Sequence, residues 1–487
     1  MIEHFPVLAV AISLLSSFTI LVTSIYTKRA GYPISLAVTF IQLVMAVLIL
    51  IGVLTDGTIN YWLGGWRPPW GIEYRVDVLG AYVLVIVALF SFFSTVYAKR
   101  VVEEEIESSK HPYFYTLWML LVSGMVGVAV TGDLFNLFVF LEISSLATYA
   151  LIAMAGRKAL IASFNYLVLG AVGISFYLLG TAFLYAATGT LNMYDARVLV
   201  SLLYSSKIVQ LSFVFYFIGL AMKMALFPFH IWQPNAYEYS PSAVTVIIST
   251  ALAKINAYAL FRIIYSVYTI KFFQNYGIIL DATAFVASVG IIAGSLFAIM
   301  EKSLKKMLAY SSVANVGYIV LALTLGKWGV YAAASHLLNH SLMKAALFMV
   351  AGGFIYRLGA RNIDDLEGLG RAMPLSSAAF AMAAVSMIGI PPSAGFVTKL
   401  FILLASLDTG RFVFIAVMIA SSLLSLVYFW RVIEILYMKG HRERMDEIPA
   451  SMLYPALLMG ILSISAGILW FFNVDMLQQI ALALEVK

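Results

Sequence analysis

The chain has 487 residues, is 62% hydrophobic and only 11% charged, and carries a formal net charge of +6. A soluble domain is about 25% charged, so the composition excludes a water-soluble globular protein and points to an integral membrane protein. The lack of cysteine excludes disulfides, thiolate-held iron–sulfur clusters and cysteine-based zinc sites within this chain.

A membrane-crossing helix needs about 20 apolar residues. Runs of that kind, read with their breakers, predict an all-α polytopic protein. Fourteen spans fall near 5–27, 33–54, 78–98, 113–131, 133–155, 161–187, 210–231, 241–268, 278–299, 305–325, 328–357, 376–407, 411–437 and 453–472. The first has no basic segment before it and an apolar run too long for a signal peptide, so it reads as a retained span. Loop 55–77, "TDGTINYWLGGWRPPWGIEYRVD", is rich in Gly, Pro and Trp and predicts a compact cap at the membrane interface. No loop is long enough for a soluble domain.

The basic excess has two readings, nucleic-acid binding and loop charge that orients helices; a chain made of spans favours the second, with no nucleic-acid partner. Of the 30 Lys and Arg, sixteen lie in odd-numbered loops, eight in even-numbered loops and the tail, and six within spans. The bias predicts odd loops in the cytoplasm and both termini outside the cell membrane.

Breakers interrupt three spans. The seventh carries Pro228 and then "FHIWQPN", the twelfth carries "GIPPSAG" at 389–395, and the eleventh is too long for one straight crossing. Irregular backbone at membrane depth is tolerated only where protein or a cavity satisfies it. Two broken spans five apart, each with its own lysine, predict two related halves, spans 4–8 and 9–13. Repeats of five spans must insert in opposite orientations. The expected organisation is therefore 1–112 as three leading spans, 113–268 as a first repeat, 278–437 as an inverted second repeat, and 438–487 as a last span with a short tail.

Charge deep in a bilayer costs about 2.5–3.5 kcal/mol per residue on insertion scales and is usually kept for ion or substrate passage. At about 1.5 Å per residue, Glu142 in span 5 is roughly 14 Å deep. Lys223 in span 7, Lys254 in span 8 and Lys344 in span 11 are also central. Lys399 follows the break in span 12, and His230 lies near the cytoplasmic end of span 7. His336, His340 and Lys344 recur at i, i+4 and i+8 and share one helix face. Such a stripe can hold a file of waters and pass protons. Glu142 and Lys223 can form a switchable ion pair.

Each element also has a bland reading. The pair can simply join two helices, the histidines can be satisfied core residues, and Arg431 with Glu434 can be a local pair or snorkel to the interface. Asp133 and Asn136 read as a helix cap. Four deep lysines with a glutamate and histidines are more than a structural bundle needs.

At these residues a family resemblance becomes specific. "LFNLFVFLEISSLATYALIA", "GLAMKMALFPFHIWQPNAYEYSPSAVTVIISTALAKINAYALFRI", "EKSLKKMLAYSSVANVGYIVLAL", "HLLNHSLMKAALFMVAGG" and "GIPPSAGFVTKLFIL" resemble the antiporter-like membrane subunits shared by respiratory complex I, Mrp-type cation/proton antiporters and membrane-bound hydrogenase or sulfane reductase complexes. The resemblance runs from about 113 to 437. It implies that Glu142 and Lys223 are the family's glutamate–lysine pair, that Lys254, Lys344 and Lys399 are its further charged carriers, and that His230, His336 and His340 connect its half-channels. Lys399 stands where some members have glutamate. The short tail lacks the long lateral helix of the largest complex I member and fits medium-sized or D-type members.

The resulting expectation is a subunit that moves H⁺, Na⁺ or both within a multisubunit membrane complex. It would have no cofactor or metal of its own and no catalytic chemistry. Redox subunits carrying iron–sulfur clusters are the expected partners if the parent complex is a hydrogenase, sulfane reductase or quinone-type reductase. A stand-alone transporter of an organic solute and a structural scaffold are the alternatives.

Overall fold

The computed structural model describes residues 2–27, 29–472 and 474–486. Lys28 and Lys487, which enter the loop-charge count, lie outside the described residues. The described residues are mostly helical. Helices α1 (Phe5–Thr23) and α2 (Gly31–Asp56) lead into a hairpin, β1 (Ile59–Trp62) and β2 (Glu73–Val76), paired antiparallel with Ile59 opposite Val76 and Trp62 opposite Glu73. This hairpin occupies the 55–77 loop.

Next come α3 (Val78–Glu105), α4 (His111–Val130), α5 (Leu134–Ala153), α6 (Arg157–Thr188), the short α7 (Met193–Leu202), α8 (Lys207–Lys223) and α9 (Trp232–Tyr239). One long buried run, 242–275, is built from α10 (Ser242–Ile247), α11 (Ala253–Arg262) and α12 (Thr269–Asn275) with π-helical turns Ile248–Leu252 and Ile263–Tyr268 between them. Then follow α13 (Gly277–Met300), α14 (Leu304–Ala322), α15 (Gly326–Leu358), α16 (Leu369–Ala372), α17 (Pro374–Ile388), α18 (Ala394–Asp408), α19 (Val413–Tyr437), α20 (Ala450–Phe472) and α21 (Asp475–Ala483).

Several starts are written in the sequence. The side chains of Asp77, Asp133, Asn192 and Ser303 each accept a backbone N–H of the first turn that follows, as good N-caps do. The Asp133–Asn136 contact is thus the predicted cap, at 2.7 Å.

Among the described residues, eleven helices are long and apolar enough to cross a membrane, and twelve if the pair Ile363–Ala372 and Pro374–Ile388, bent by 118°, counts as one span. Three of the fourteen predicted spans are not among the eleven. Segment 210–231 stops as α8 at Lys223, and 376–407 is split into α17 and α18 around 389–393, so neither holds one long helix. Segment 305–325 is an intact helix, α14, whose Lys305, Lys306, Ser311, Ser312 and Asn315 dilute its hydropathy.

The predicted interruption of the eleventh span is not there. α15 runs unbroken for 33 residues. No proline lies within it to remove a donor, so its length is carried by a continuous helix. The eighth segment, which is not among the three read as interrupted, holds both π turns.

A further regularity links two stretches of the chain. Asp133 and Asn192 form a backbone bridge, and so do Ser303 and Asn362. The Leu134 N–H donates to Leu191 O at 2.8 Å and Leu304 N–H to Arg361 O at 3.0 Å; Met193 N–H donates to Gly132 O at 2.9 Å and Ile363 N–H to Lys302 O at 2.8 Å. Helices α6 and α15 both end on a left-handed glycine, Gly189 (φ 71°) and Gly359 (φ 66°). Every one of these correspondences is displaced by 170 residues, so 132–193 and 302–363 share one backbone pattern.

Candidate functional site

The site begins where α8 ends. Lys223 is its last residue; beyond it the backbone turns through Ala225 (φ 58°) toward Pro228. The Lys223 Nζ donates to Glu142 Oε2 on α5 at 2.9 Å and to Ser145 Oγ, one turn further along α5, at 2.9 Å. The lysine is 1% exposed and the glutamate 24%. The Lys223 carbonyl, freed by the helix end, accepts Asn256 Nδ2 from α11 at 3.0 Å. The predicted ion pair is therefore formed, with a serine and an asparagine that sequence reading did not single out.

Lys254 follows on α11. Its Nζ donates to the Ser249 carbonyl inside the first π turn. A π turn spaces its hydrogen bonds one residue wider and commonly marks functional sites. The neighbouring Thr250 carbonyl accepts Ser341 Oγ from α15 at 2.7 Å. The turn thus offers two backbone acceptors, one to Lys254 and one to the helix bearing the histidines.

On α15, the His336 and His340 rings stack, 5.2 Å between centroids and 2° between planes. His336 Nδ1 lies 3.2 Å from Thr398 Oγ1 on α18; its Nε2 and both nitrogens of His340 are buried with no protein partner. Unpartnered buried imidazole nitrogens are costly, and buried polar atoms of this kind are commonly met by ordered water in folded proteins. Asn339 Nδ2 donates to Ala394 O at 3.0 Å and to Thr398 Oγ1 at 3.1 Å, while its Oδ1 accepts Trp470 Nε1 from α20 at 3.0 Å.

The rest of the predicted stripe diverges. Lys344 shares the helix with the histidines, but its Nζ turns to α14, donating to Leu308 O at 2.6 Å and Ser311 Oγ at 2.5 Å. Lys399 on α18 is half-buried, and its Nζ donates to Ile388 O at 2.6 Å, the carbonyl end of α17, where a cation is favoured. The left-handed Gly389 (φ 88°) closes that helix against the lysine stem.

His230 stands apart. Its ring sits among Phe227, Phe297 and Tyr310, with Nδ1 buried and unpartnered, and no hydrogen bond joins it to the lysines. Arg431 and Glu434 do not pair with each other: Arg431 donates to Ile299 O at 3.1 Å and Glu301 O at 2.9 Å, closing the end of α13, and Glu434 pairs with Lys439.

A second buried ion pair had no place in the sequence reading. Arg262, two turns beyond Lys254, makes a bidentate contact with Asp77 at 2.5 Å, and its Nε donates to Tyr258 at 2.7 Å. Burial alone would raise the Asp77 carboxyl. The Arg262 charge and hydrogen bond, with the Gly80 N–H and Arg75, hold it below the usual carboxylate range. The pairing of residues 185 apart leaves no local sequence signal. Among the described residues no group of three or more His, Asp or Glu side chains could hold a metal.

Residues 131–425 match the family described as NADH:quinone oxidoreductase/Mrp antiporter, transmembrane. The chain is 43% identical over 438 residues to NADH-quinone oxidoreductase subunit N of Desulforudis audaxviator, with 86% of each chain covered. Its structure is similar to a chain of the membrane-bound sulfane sulfur reductase, an archaeal respiratory membrane complex, at TM-score 0.90 and 32% identity, covering 97% of this chain and 96% of that one. It is also similar to a chain of the Mrp complex from Dietzia sp. DQ12-45-1b, at TM-score 0.90 and 27% identity, covering 99% and 97%.

Proposed function

Because the chain belongs to the NADH:quinone oxidoreductase/Mrp antiporter transmembrane family, we propose that it is the ion-translocating subunit of a multisubunit membrane complex. It moves H⁺, Na⁺ or both along a mid-membrane line: His230 at the entry, Glu142 with Lys223 as the switch, Lys254, His340, His336 and Lys344 as carriers, and Lys399 at the far end. The observation that carries this reading is the Lys223–Glu142–Ser145 triad, with its lysine buried, at the broken end of α8. Opening the pair frees the lysine proton to move toward Lys254, whose own helix is tethered to the Lys223 carbonyl through Asn256.

On this reading the chain crosses the membrane fourteen times. α8 with α9 and α17 with α18 are broken crossings and α14 is a polar one. Residues 113–268 and 278–437 are inverted repeats, and the 170-residue displacement of the backbone bridges supports a repeat. Residues 1–112 precede them and 438–487 follow. The charge bias supports both termini outside and the odd loops in the cytoplasm.

Neighbouring membrane subunits are the partners. A carboxylate left 24% exposed at mid-depth supports a protein neighbour on that face, because lipid does not solvate charge. A parent complex of oxidoreductase type would keep its iron–sulfur clusters on other subunits. The polar contacts spread along α5, α11, α15 and α18 favour a relay over a single solute cavity.

The test is Lys223→Ala in sealed vesicles bearing the intact complex. Ion transport is abolished while the complex remains assembled. Normal transport in that variant sinks the relay.

A further inference from the structure

The mid-membrane line uses Lys254 but not the rest of the helix that carries it. α11 is a ten-residue α-helical segment bounded by π turns on both sides. Lys254, Tyr258 and Arg262 recur on it at i, i+4 and i+8, one face over roughly 12 Å. That rise is close to half of the roughly 30 Å hydrocarbon core, so the stripe runs from mid-depth toward the even-loop face.

Every polar group on this stripe beyond Lys254 is locked. The Tyr258 hydroxyl donates to Ala129 O at 3.1 Å, near the end of α4, and accepts Arg262 Nε. Arg262 clamps Asp77, which is itself fixed by the Gly80 N–H at 2.9 Å. The packing leaves no slack at this point. A Cβ added at Gly80 would lie 2.9 Å from Arg262 Nη2, 3.2 Å from Ala129 O and 3.3 Å from the Tyr258 hydroxyl.

Immediately beyond the clamp is a cavity of about 160 Å³ lined by Arg75, Asp77, Arg197, Arg262, Tyr194 and Ser266, among others. Three guanidinium groups line it with the Asp77 carboxylate, and one of them, Arg197, also pairs with Glu485 at 2.7 Å, which leaves a net positive lining. A cavity so lined repels cations, including a hydrated proton, more strongly than a neutral plug would.

We propose that Tyr258, Arg262 and Asp77 form a closed outward gate to Lys254, giving the first half of the chain an outlet of its own, sealed by the ion pair and guarded by the arginine-lined cavity. In the closed form the Lys254 ammonium is turned away, to Ser249 O in the first π turn. Tyr258 follows Lys254 by one helical turn on the same face of α11. Release of Arg262 from Asp77 frees that hydroxyl and opens the stripe to the cavity. The proposal rests on the ion-translocation reading for its use, but the gate itself is tested separately from transport.

The chain has no cysteine, so an introduced cysteine is the one thiol on this subunit, and its modification in the intact complex is read on this subunit after the subunits are separated. In right-side-out vesicles, Ser266→Cys is modified by an impermeant anionic methanethiosulfonate reagent, and Tyr258→Cys is not. Adding Asp77→Asn to Tyr258→Cys makes its modification at least tenfold faster. Asp77→Asn alone raises passive proton leak several-fold, and a further Lys254→Ala removes that leak.

Equal modification of Tyr258→Cys with the pair intact and broken overturns the gate, as does the absence of modification at Ser266→Cys. If Asp77→Asn does not assemble, Arg262→Gln takes its place. If neither assembles, the contrast between Ser266→Cys and Tyr258→Cys with the pair intact decides. Failure of Lys223→Ala to affect transport strikes the relay and leaves these access measurements standing.

Discussion

Lys223 Nζ is 2.9 Å from Glu142 Oε2, yet the two partners live in different surroundings: the lysine is 1% exposed and the glutamate 24%. The pair joins the interior of the helix bundle to its rim. Removing the glutamate therefore harms the chain more than removing both residues, since it strands a buried ammonium with Ser145 as its one remaining side-chain acceptor.

Glu142→Gln is expected to destabilise the complex by about 3 kcal/mol, the lower end of the cost of breaking a buried pair, because the glutamate is partly open. The double variant Glu142→Gln/Lys223→Met recovers most of that loss. Transport does not return with it. Thermal unfolding of the purified complex and pH-gradient formation in vesicles read the two effects separately. A double variant that transports normally would show the pair to be a helix clip and nothing more.

The residues of this pair were legible in the sequence because charge in apolar helices stands out, and the breaks were legible because Pro228 and "GIPPSAG" cannot continue a helix. Other parts of the site were not. A π turn has no composition of its own, so nothing in "ISTAL" announced that Ser249 and Thr250 would present carbonyls to Lys254 and Ser341. Spacing placed Lys344 on the histidine face of α15, but a long flexible stem let its ammonium reach α14. Arg262 is one of the six basic residues counted within spans, and its partner was hidden 185 residues away. Length alone predicted a break in α15, where an unbroken helix was physically sufficient.

Trp470 offers a test of positioning without charge. Its indole N–H holds Asn339 Oδ1, Asn339 Nδ2 holds Thr398 Oγ1, and Thr398 meets His336 Nδ1. Trp470→Phe leaves a buried amide oxygen without its donor, a loss of about 1–3 kcal/mol. Transport should fall by roughly fivefold to tenfold rather than vanish, about 1–1.4 kcal/mol in barrier terms. Vesicle transport rates at matched complex content measure it, and an unchanged rate would remove Trp470 from the relay's support.

Gly389 and Gly410 separate backbone strain from contact. Both are left-handed, at φ 88° and 67°. A Cβ at Gly389 would lie 2.8 Å from Lys399 Cδ, whereas nothing lies within 4 Å at Gly410. Both alanine variants should lose about 1–2 kcal/mol of stability from the left-handed backbone. Gly389→Ala alone should slow transport, because it displaces the Lys399 stem from the end of α17. Equal transport in the two variants would mean that the position of Lys399 does not matter.

The Asp77–Arg262 pair gives a pH signature. Asp77 is held below its ordinary value of about 3.9, so the folded state binds its proton less readily than the unfolded state. Its contribution to stability is then fully present above about pH 4 and is lost as pH falls through the lower folded value. Wild type and Asp77→Asn should differ most near neutrality, by about 3–5 kcal/mol for a buried pair broken on one side. The two should converge in acid. Thermal unfolding of both proteins from pH 7 down to about pH 3 checks this. A difference that stays constant as pH falls below about 4 would mean that the pair does not lower the Asp77 carboxyl.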